Sequence, residues 1–462
     1  MTELSPVLDR ADQNLSASID RMFDLVRIKS ISTDPAFRDD CRKAAEWLVQ
    51  ELTTLGFEAS LRDTPGHPMV VGHHAGATPD APHVLFYGHY DVQPVDPIEL
   101  WEDDPFDPKL KELPGGRKIM TGRGTSDDKG QLLTFVEACR AYKDVHGALP
   151  IRITILFEGE EESGSPSLKP FLEANAEELR ADFALVCDTG MWDTDTPAIA
   201  AALRGLVGEE ITVTAADRDL HSGLYGGAAA NPIHILTGII AGLRDDTGRI
   251  TLDGFYDGVE ETPENIKASW ETLGRSAESF LGEIGLSVPA GEKGRSVLEM
   301  TWARPTCEVN GIWGGYTGDG FKTVIAAKAS AKISFRLVGT QDPAKIRDAF
   351  RAYVTSRIPE DCDVEFHPHG GSPAIQLSYD SPALTKAKTA LSDEWANPAV
   401  IVGMGGSIPI VGDFQKMLGM DSLLVGFGLN DDRIHSPNEK YDLKSYHKGI
   451  RSWVRIIAAL GK

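Results

Sequence analysis

Residues 83–92, HVLFYGHYDV, form an apolar, strand-like run that stops on His89 and Asp91. Three other stretches repeat this plan. RITILFEGEEES (152–163) ends in Glu160, Glu161 and Glu162, ADFALVCDTG (181–190) ends in Asp188, and SLLVGFGLNDDRIHS (422–436) runs on to His435. In a parallel sheet the carboxyl ends of the strands share one edge, where such folds bind ligands. The pattern therefore predicts that imidazoles and carboxylates from distant parts of the chain converge as a metal site.

The segments between these runs read as helices. RDDCRKAAEWLVQELTT (38–54) places Ala44, Leu48 and Leu52 on one face, with Gly56 as a C-terminal stop. After the loop TGRGTSDDKG, residues 131–144 put Leu132, Leu133, Val136 and Cys139 at helical spacing. Alternating strands and helices predict an α/β architecture with a largely parallel sheet.

From about residue 206 the pattern changes. EEITVTAADRD (209–219) alternates like a half-exposed strand, and Asn231 and Pro232 stand at the cap and first position of a helix. Residues 322–339 read as two strands of an antiparallel unit, followed by a helix over 345–358. This is a small α+β domain with one open sheet face. The α/β pattern resumes after about 378. The predicted organisation is a catalytic domain in two parts, 1–205 and 379–462, with residues 206–378 inserted.

At 462 residues the chain is long enough for two domains. A hydrophobic content of 41% and a charged content of 25% are those of a soluble globular protein. The formal charge of −23 argues against nucleic acid or an anionic membrane as partner. No apolar run approaches the roughly 18 residues of a bilayer span, and the first residues lack the features of a secretory signal. Five scattered cysteines without a C-x-x-C pair suit a reducing cytoplasm.

Taken singly, these chemical groups are weak signals. His89 and Asp91 lie two apart on an extended segment, so one can ligate a metal while the other orients the imidazole. Asp127 and Asp128 could simply cap a helix, and a run of glutamates is usually a solvated loop. Nothing in the run itself selects among Glu160, Glu161 and Glu162. Their joint placement at the ends of apolar strands points to a site of oxygen and imidazole ligands, suited to Zn²⁺, Mn²⁺ or Co²⁺. Zinc-helix, nucleophile-elbow and phosphate-loop motifs are absent. The glycine-rich GMGGSIP (403–409) reads equally as a cradle of backbone N–H groups for a carboxylate and as a tight structural turn.

Seven motifs in order, GHYDVQP, GRGTSDDKG, FEGEEESGS, DLHSGLYGG, SFRLV, GGSIP and IHSPNEK, resemble the cytosolic nonspecific dipeptidase and carnosinase branch of the dinuclear metallopeptidases. Aminoacylase, carboxypeptidase G and succinyl-diaminopimelate desuccinylase are more distant relatives. The resemblance implies a phosphorylase/hydrolase-like α/β catalytic domain with a mainly parallel sheet, plus an inserted α+β, ferredoxin-like lid and dimerisation domain. It implies two divalent ions per subunit, Zn²⁺ first, with Mn²⁺ or Co²⁺ as alternatives. Asp127 would bridge them, His89 and Asp188 completing one ion and Glu162 with His435 the other. Asp91 would orient His89, and Glu161 would be the general base. His221 would reach the partner subunit's active site, Arg336 would grip the substrate carboxylate, and Thr323, Gly406 and Ser407 would add substrate contacts. Asp127 and Asp128 would be joined by a cis peptide. The implied activity is hydrolysis of dipeptides by a cytoplasmic homodimer, with N-acyl amino-acid amidohydrolysis as the alternative.

Overall fold

The computed structural model describes residues 3–405 and 408–461. The chain divides into two compact units. One comprises residues 1–201, 377–401 and 413–462, and the other residues 202–376 and 402–412.

The first unit is built on a mixed sheet. Its central strands, Arg152–Glu158, His83–His89, Phe183–Val186 and Ser422–Leu424, lie side by side and parallel. These are the four apolar runs of the sequence. Strands Met69–His74 and Glu58–Arg62 extend one flank antiparallel, and Ala198–Leu203 pairs antiparallel on the other. The parallel part is thus the middle of the sheet. It is also where both faces are covered, which is why these strands carry no polar alternation.

Phe86 and Tyr87 show that double coverage. Phe86 stacks on Phe135 with centroids 3.7 Å apart, and Trp453 meets both rings edge-on. These partners come from helices Lys129–His146 and Leu443–Leu460, which pack on one face. Tyr87 points the other way and meets Phe414 at 5.8 Å. Helix Arg38–Thr54 has the predicted bounds, with Ala44, Leu48 and Leu52 buried. Helix Lys129–His146 begins directly after Asp128 and ends on Gly147 at φ 74°, a left-handed conformation that glycine adopts without steric cost.

The second unit contains a four-stranded antiparallel sheet in the order Thr306–Gly314, Lys328–Leu337, Gly205–Thr214, Asp363–Ser372. Helices Pro232–Ala241 and Pro343–Thr355 cover one face. The chain order, strand–helix–strand–strand–helix–strand, is ferredoxin-like. Asn231 caps the first helix by accepting the Ile233 N–H at 3.0 Å. Strand Gly205–Thr214 alternates buried and half-buried residues throughout. Its one buried acid, Glu209, is held by Arg347 and Arg351. Residues 322–339 do contain two strands, but these do not pair with each other. Val324–Ile325 pairs with Leu220–His221, while Lys328–Leu337 enters the four-stranded sheet. Only Ala326 and Ala327 separate them, and the chain runs on without the turn a hairpin requires.

Candidate active site

Because the four central strands run parallel, their last residues meet at one edge. His89 ends its strand in register with Glu158, Asp188 follows Val186 by two residues, and the segment after Leu424 leads to His435. Asp127 is supplied by the loop preceding helix Lys129–His146. The Asp127–Asp128 peptide is cis.

Two groups of ligand atoms result, each within 4.8 Å: His89, Asp127 and Asp188, and Asp127, Glu162 and His435. Asp127 belongs to both. Its Oδ1 lies 3.1 Å from His89 Nε2 and its Oδ2 2.9 Å from His435 Nε2. His435 Nε2 is also 3.2 Å from Glu162 Oε2, and His89 Nε2 is 3.9 Å from Asp188 Oδ2. One carboxylate therefore faces two separate imidazoles, the arrangement of a bridging ligand.

Electrostatics distinguish this cluster from an ordinary acidic patch. Among the described residues, no lysine or arginine pairs with Asp127, Glu162 or Asp188. Burial, reinforced by Asp127, pushes the Asp188 carboxyl up to about 7. Burial also opposes charge on Asp127, but hydrogen bonds from His435 and His89 outweigh it and hold this carboxyl low. Hydrogen bonds to Asp127 and Glu162 raise His435 to about 10. Among the described residues the counter-charge on these acids comes from imidazole, which gives up its proton when a metal binds, so this donor set fits divalent cations. A third acidic group gives the contrast. Asp431, Asp432 and Asp442 also lie close together, but Lys440 Nζ sits 2.8, 2.5 and 2.8 Å from them. There a lysine already fills the cation's place.

The three consecutive glutamates have different surroundings. Glu160 is buried and accepts the N–H groups of His67 (3.0 Å) and Ser167 (3.1 Å), which makes it a loop anchor. Glu162 faces His435 and accepts from Gln93 Nε2 at 2.6 Å. The Glu161 carboxylate has no hydrogen-bond partner among the described residues. Its pKa is raised, first by burial, as suits a group that exchanges protons. Asp91 is fully buried. Its carbonyl oxygen and Oδ1 lie 3.2 and 3.4 Å from His89 Nδ1. Asp128 accepts the His89 N–H at 3.2 Å and lies 3.5 Å from the Cys187 thiol. Burial drives its pKa well up, and its contact with the His89 N–H supports the strand end that carries the imidazole.

His221, Thr323 and Arg336 lie in the second unit. His221 is exposed and its Nδ1 accepts the Gly223 N–H at 2.9 Å. The Thr323 carbonyl accepts the Ser222 N–H at 3.1 Å, which places Thr323 beside His221. Arg336 stands on strand Lys328–Leu337 opposite Thr306 and Leu206, half-buried on the face away from the helices. Gly406 and Ser407 lie outside the described residues. Sequence reasoning passed over Gln93 and Glu439. Both sit inside quoted motifs, but nothing local marks either as part of the site.

Imidazoles and acids that share one carboxylate, with no lysine or arginine paired to them among the described residues, are the makings of a metal-dependent hydrolase. The chain belongs to peptidase family M20/M25/M40, whose model matches residues 85–459. It is 31% identical over 469 residues to the Cys-Gly metallodipeptidase DUG1 of Candida albicans, covering 97% of this chain and 96% of that protein. It is 28% identical over 390 residues to the Beta-Ala-His dipeptidase of Homo sapiens, covering 83% and 76%. Among solved structures, the di-peptidase Dug1p from Saccharomyces cerevisiae matches with a TM-score of 0.75 at 27% identity, covering 99% of this chain and 98% of that one. Human carnosine dipeptidase 1 matches with a TM-score of 0.75 at 25% identity, covering 100% and 99%. Among the described residues, no helix is long and apolar enough to cross a membrane.

Proposed function

We propose that this protein is a dinuclear metallodipeptidase that cleaves the peptide bond of short, unblocked substrates. The observation that carries the reading is Asp127, a buried carboxylate shared by two ligand groups with no lysine or arginine to balance them. His89 and Asp188 would hold one ion, and Glu162 and His435 the other, with Zn²⁺ as the metal of choice and Mn²⁺ or Co²⁺ as substitutes. Such ions supply Lewis acidity and lower the pKa of water from about 15.7 towards about 7.

The remaining work falls to side chains. Glu161 takes the proton of the attacking water on its carboxylate and delivers it to the departing amine. Its raised pKa favours the first of these transfers, because it makes the carboxylate a stronger base. Asp91 keeps the His89 ring oriented through Nδ1. Arg336 offers a planar fork to the substrate's C-terminal carboxylate, a pairing lysine cannot reproduce. His221 donates to the developing oxyanion, a role worth about 3–4 kcal/mol, and Thr323, Gly406 and Ser407 add contacts. The second unit serves as lid and dimerisation domain, with His221 acting in the partner's site of a homodimer. Five free cysteines agree with a cytoplasmic setting.

Relatives named for Cys-Gly and β-Ala-His substrates support dipeptides as the substrate class. The test is a hydrolysis panel with Zn²⁺ or Mn²⁺: Cys-Gly, β-Ala-His, other dipeptides, and N-acetyl and N-succinyl amino acids. Turnover of dipeptides is expected. Preference for the acylated compounds would overturn the assignment in favour of an amidohydrolase.

A further inference from the structure

We propose that Glu439 is the positioning residue that sets the distance between Asp127 and His435, and through it the affinity for metal. The inference rests on the ligand assignment above and adds a residue outside the ligand set. Glu439 is fully buried. Its Oε1 accepts the N–H groups of Ser126 (2.9 Å) and Asp127 (3.1 Å). Its Oε2 accepts the Gly124 N–H (3.0 Å) and Arg123 Nη1 (2.7 Å), and its backbone carbonyl accepts the Gly122 N–H (3.0 Å). Of the six N–H groups of residues 122–127, four end on Glu439. The other two, of Arg123 and Thr125, go to Pro105 and Gly122.

Glu439 also lies four residues beyond His435, in a segment with its own constraints. Arg433, His435 and Asn438 all have positive φ, from 56° to 63°. Asn438 is pinned by Glu102 N–H and Leu100 carbonyl. Ser126 Oγ donates to Asp432 Oδ2 at 2.8 Å, adding a second tie between the same loops. One carboxylate thus joins the loop carrying Asp127 to the loop carrying His435, two residues assigned to the same ion. Arg123 is equally buried and is secured by the Pro94 carbonyl and the Trp101 ring. Converging charge-assisted bonds from backbone donors leave the acceptor little freedom, and supports of this kind set how well ligands fit their metal.

Glu439→Gln keeps the volume but turns an NH₂ group towards N–H donors on one side. In this variant, competition with a chromophoric chelator should show Zn²⁺ binding about 10–100-fold weaker. Metal-free thermal unfolding should shift to lower temperature because buried Arg123 loses its charged partner, whereas KM should be unchanged and kcat should return at high Zn²⁺. Glu439→Asp, which keeps the charge on a shorter arm, should fall between the two and is read alone if the glutamine variant does not fold. Wild-type Zn²⁺ affinity in whichever variant folds overturns the proposal. Asp127→Asn is the control for the assignment beneath it. If that variant keeps wild-type affinity, the ligand set is wrong. If it loses metal while both Glu439 variants keep it, only the present inference fails.

Discussion

The carboxylate of Asp91 accepts the backbone N–H of Glu162 at 3.0 Å. Glu161 N–H approaches the other oxygen at 3.3 Å, and His89 Nδ1 lies 3.4 Å from that same Oδ1. A single buried acid therefore orients an imidazole from one strand and fixes the backbone of the proposed base and ligand after its neighbour. Removing it should disturb both. Asp91→Ala is expected to lower metal affinity and kcat by about 10–100-fold, with little change in KM. Chelator competition and steady-state kinetics check this, and an effect confined to KM would contradict the orienting role.

Glu161→Gln separates proton transfer from metal binding. Metal content should match wild type while kcat falls by about 10²–10⁴-fold. Retained turnover would move the base to another residue. Glu160→Gln, by contrast, should act on stability, because Glu160 holds the N–H groups of His67 and Ser167.

Metal binding should release protons. In the metal-free protein His435 titrates near 10, raised above its ordinary 6.5 by Asp127 and Glu162. Its ion-pair stabilisation is therefore complete below about 6.5 and is lost as pH rises through about 10. A ligating imidazole must give up that proton, and Asp188, near 7, is partly protonated at neutrality. Affinity should rise with pH between 6 and 8, by about tenfold per unit for each proton released. Calorimetry in buffers of different ionisation enthalpy counts the protons. A pH-independent affinity would contradict the assignment of His435.

Gly88 sits where a methyl group has no room. An added Cβ would lie 2.9 Å from Asp128 Oδ2 and 3.0 Å from Leu132 Cβ. Gly88→Ala should destabilise the metal-free protein by about 1–3 kcal/mol, read as a lower midpoint in denaturant unfolding.

Cross-subunit catalysis has a direct test. Chains carrying His221→Ala and chains carrying Arg336→Ala should each be nearly inactive. Mixed after dissociation, they should regain part of the wild-type rate if each residue serves a different site. Verified hybrids without recovery would count against a shared site.

The sheet edge was legible because strand and functional group are neighbours in sequence. An apolar run followed by His89, Glu162 or Asp188 already says that the group stands at a strand end. The cap at Asn231 and helix Arg38–Thr54 were legible for the same local reason. The partnering of Val324–Ile325 was not, because which strand a short extended segment joins is decided by distant chain. Acid-rich composition could not separate Asp431, Asp432 and Asp442 from the metal candidates either. Lys440 does so, by standing within 2.8 Å of all three.

By itself, the order of residues determined which side chains could carry the chemistry and that parallel strands would gather them, since periodicity and strand ends are short-range properties. Only the tertiary structure decided what each one is free to do. Glu160 is spent on two backbone donors, Glu161 is left without a partner among the described residues, and Glu439 ties two loops together. Those roles depend on hydrogen bonds across as many as 316 positions, and such contacts exist only once the chain has closed upon itself.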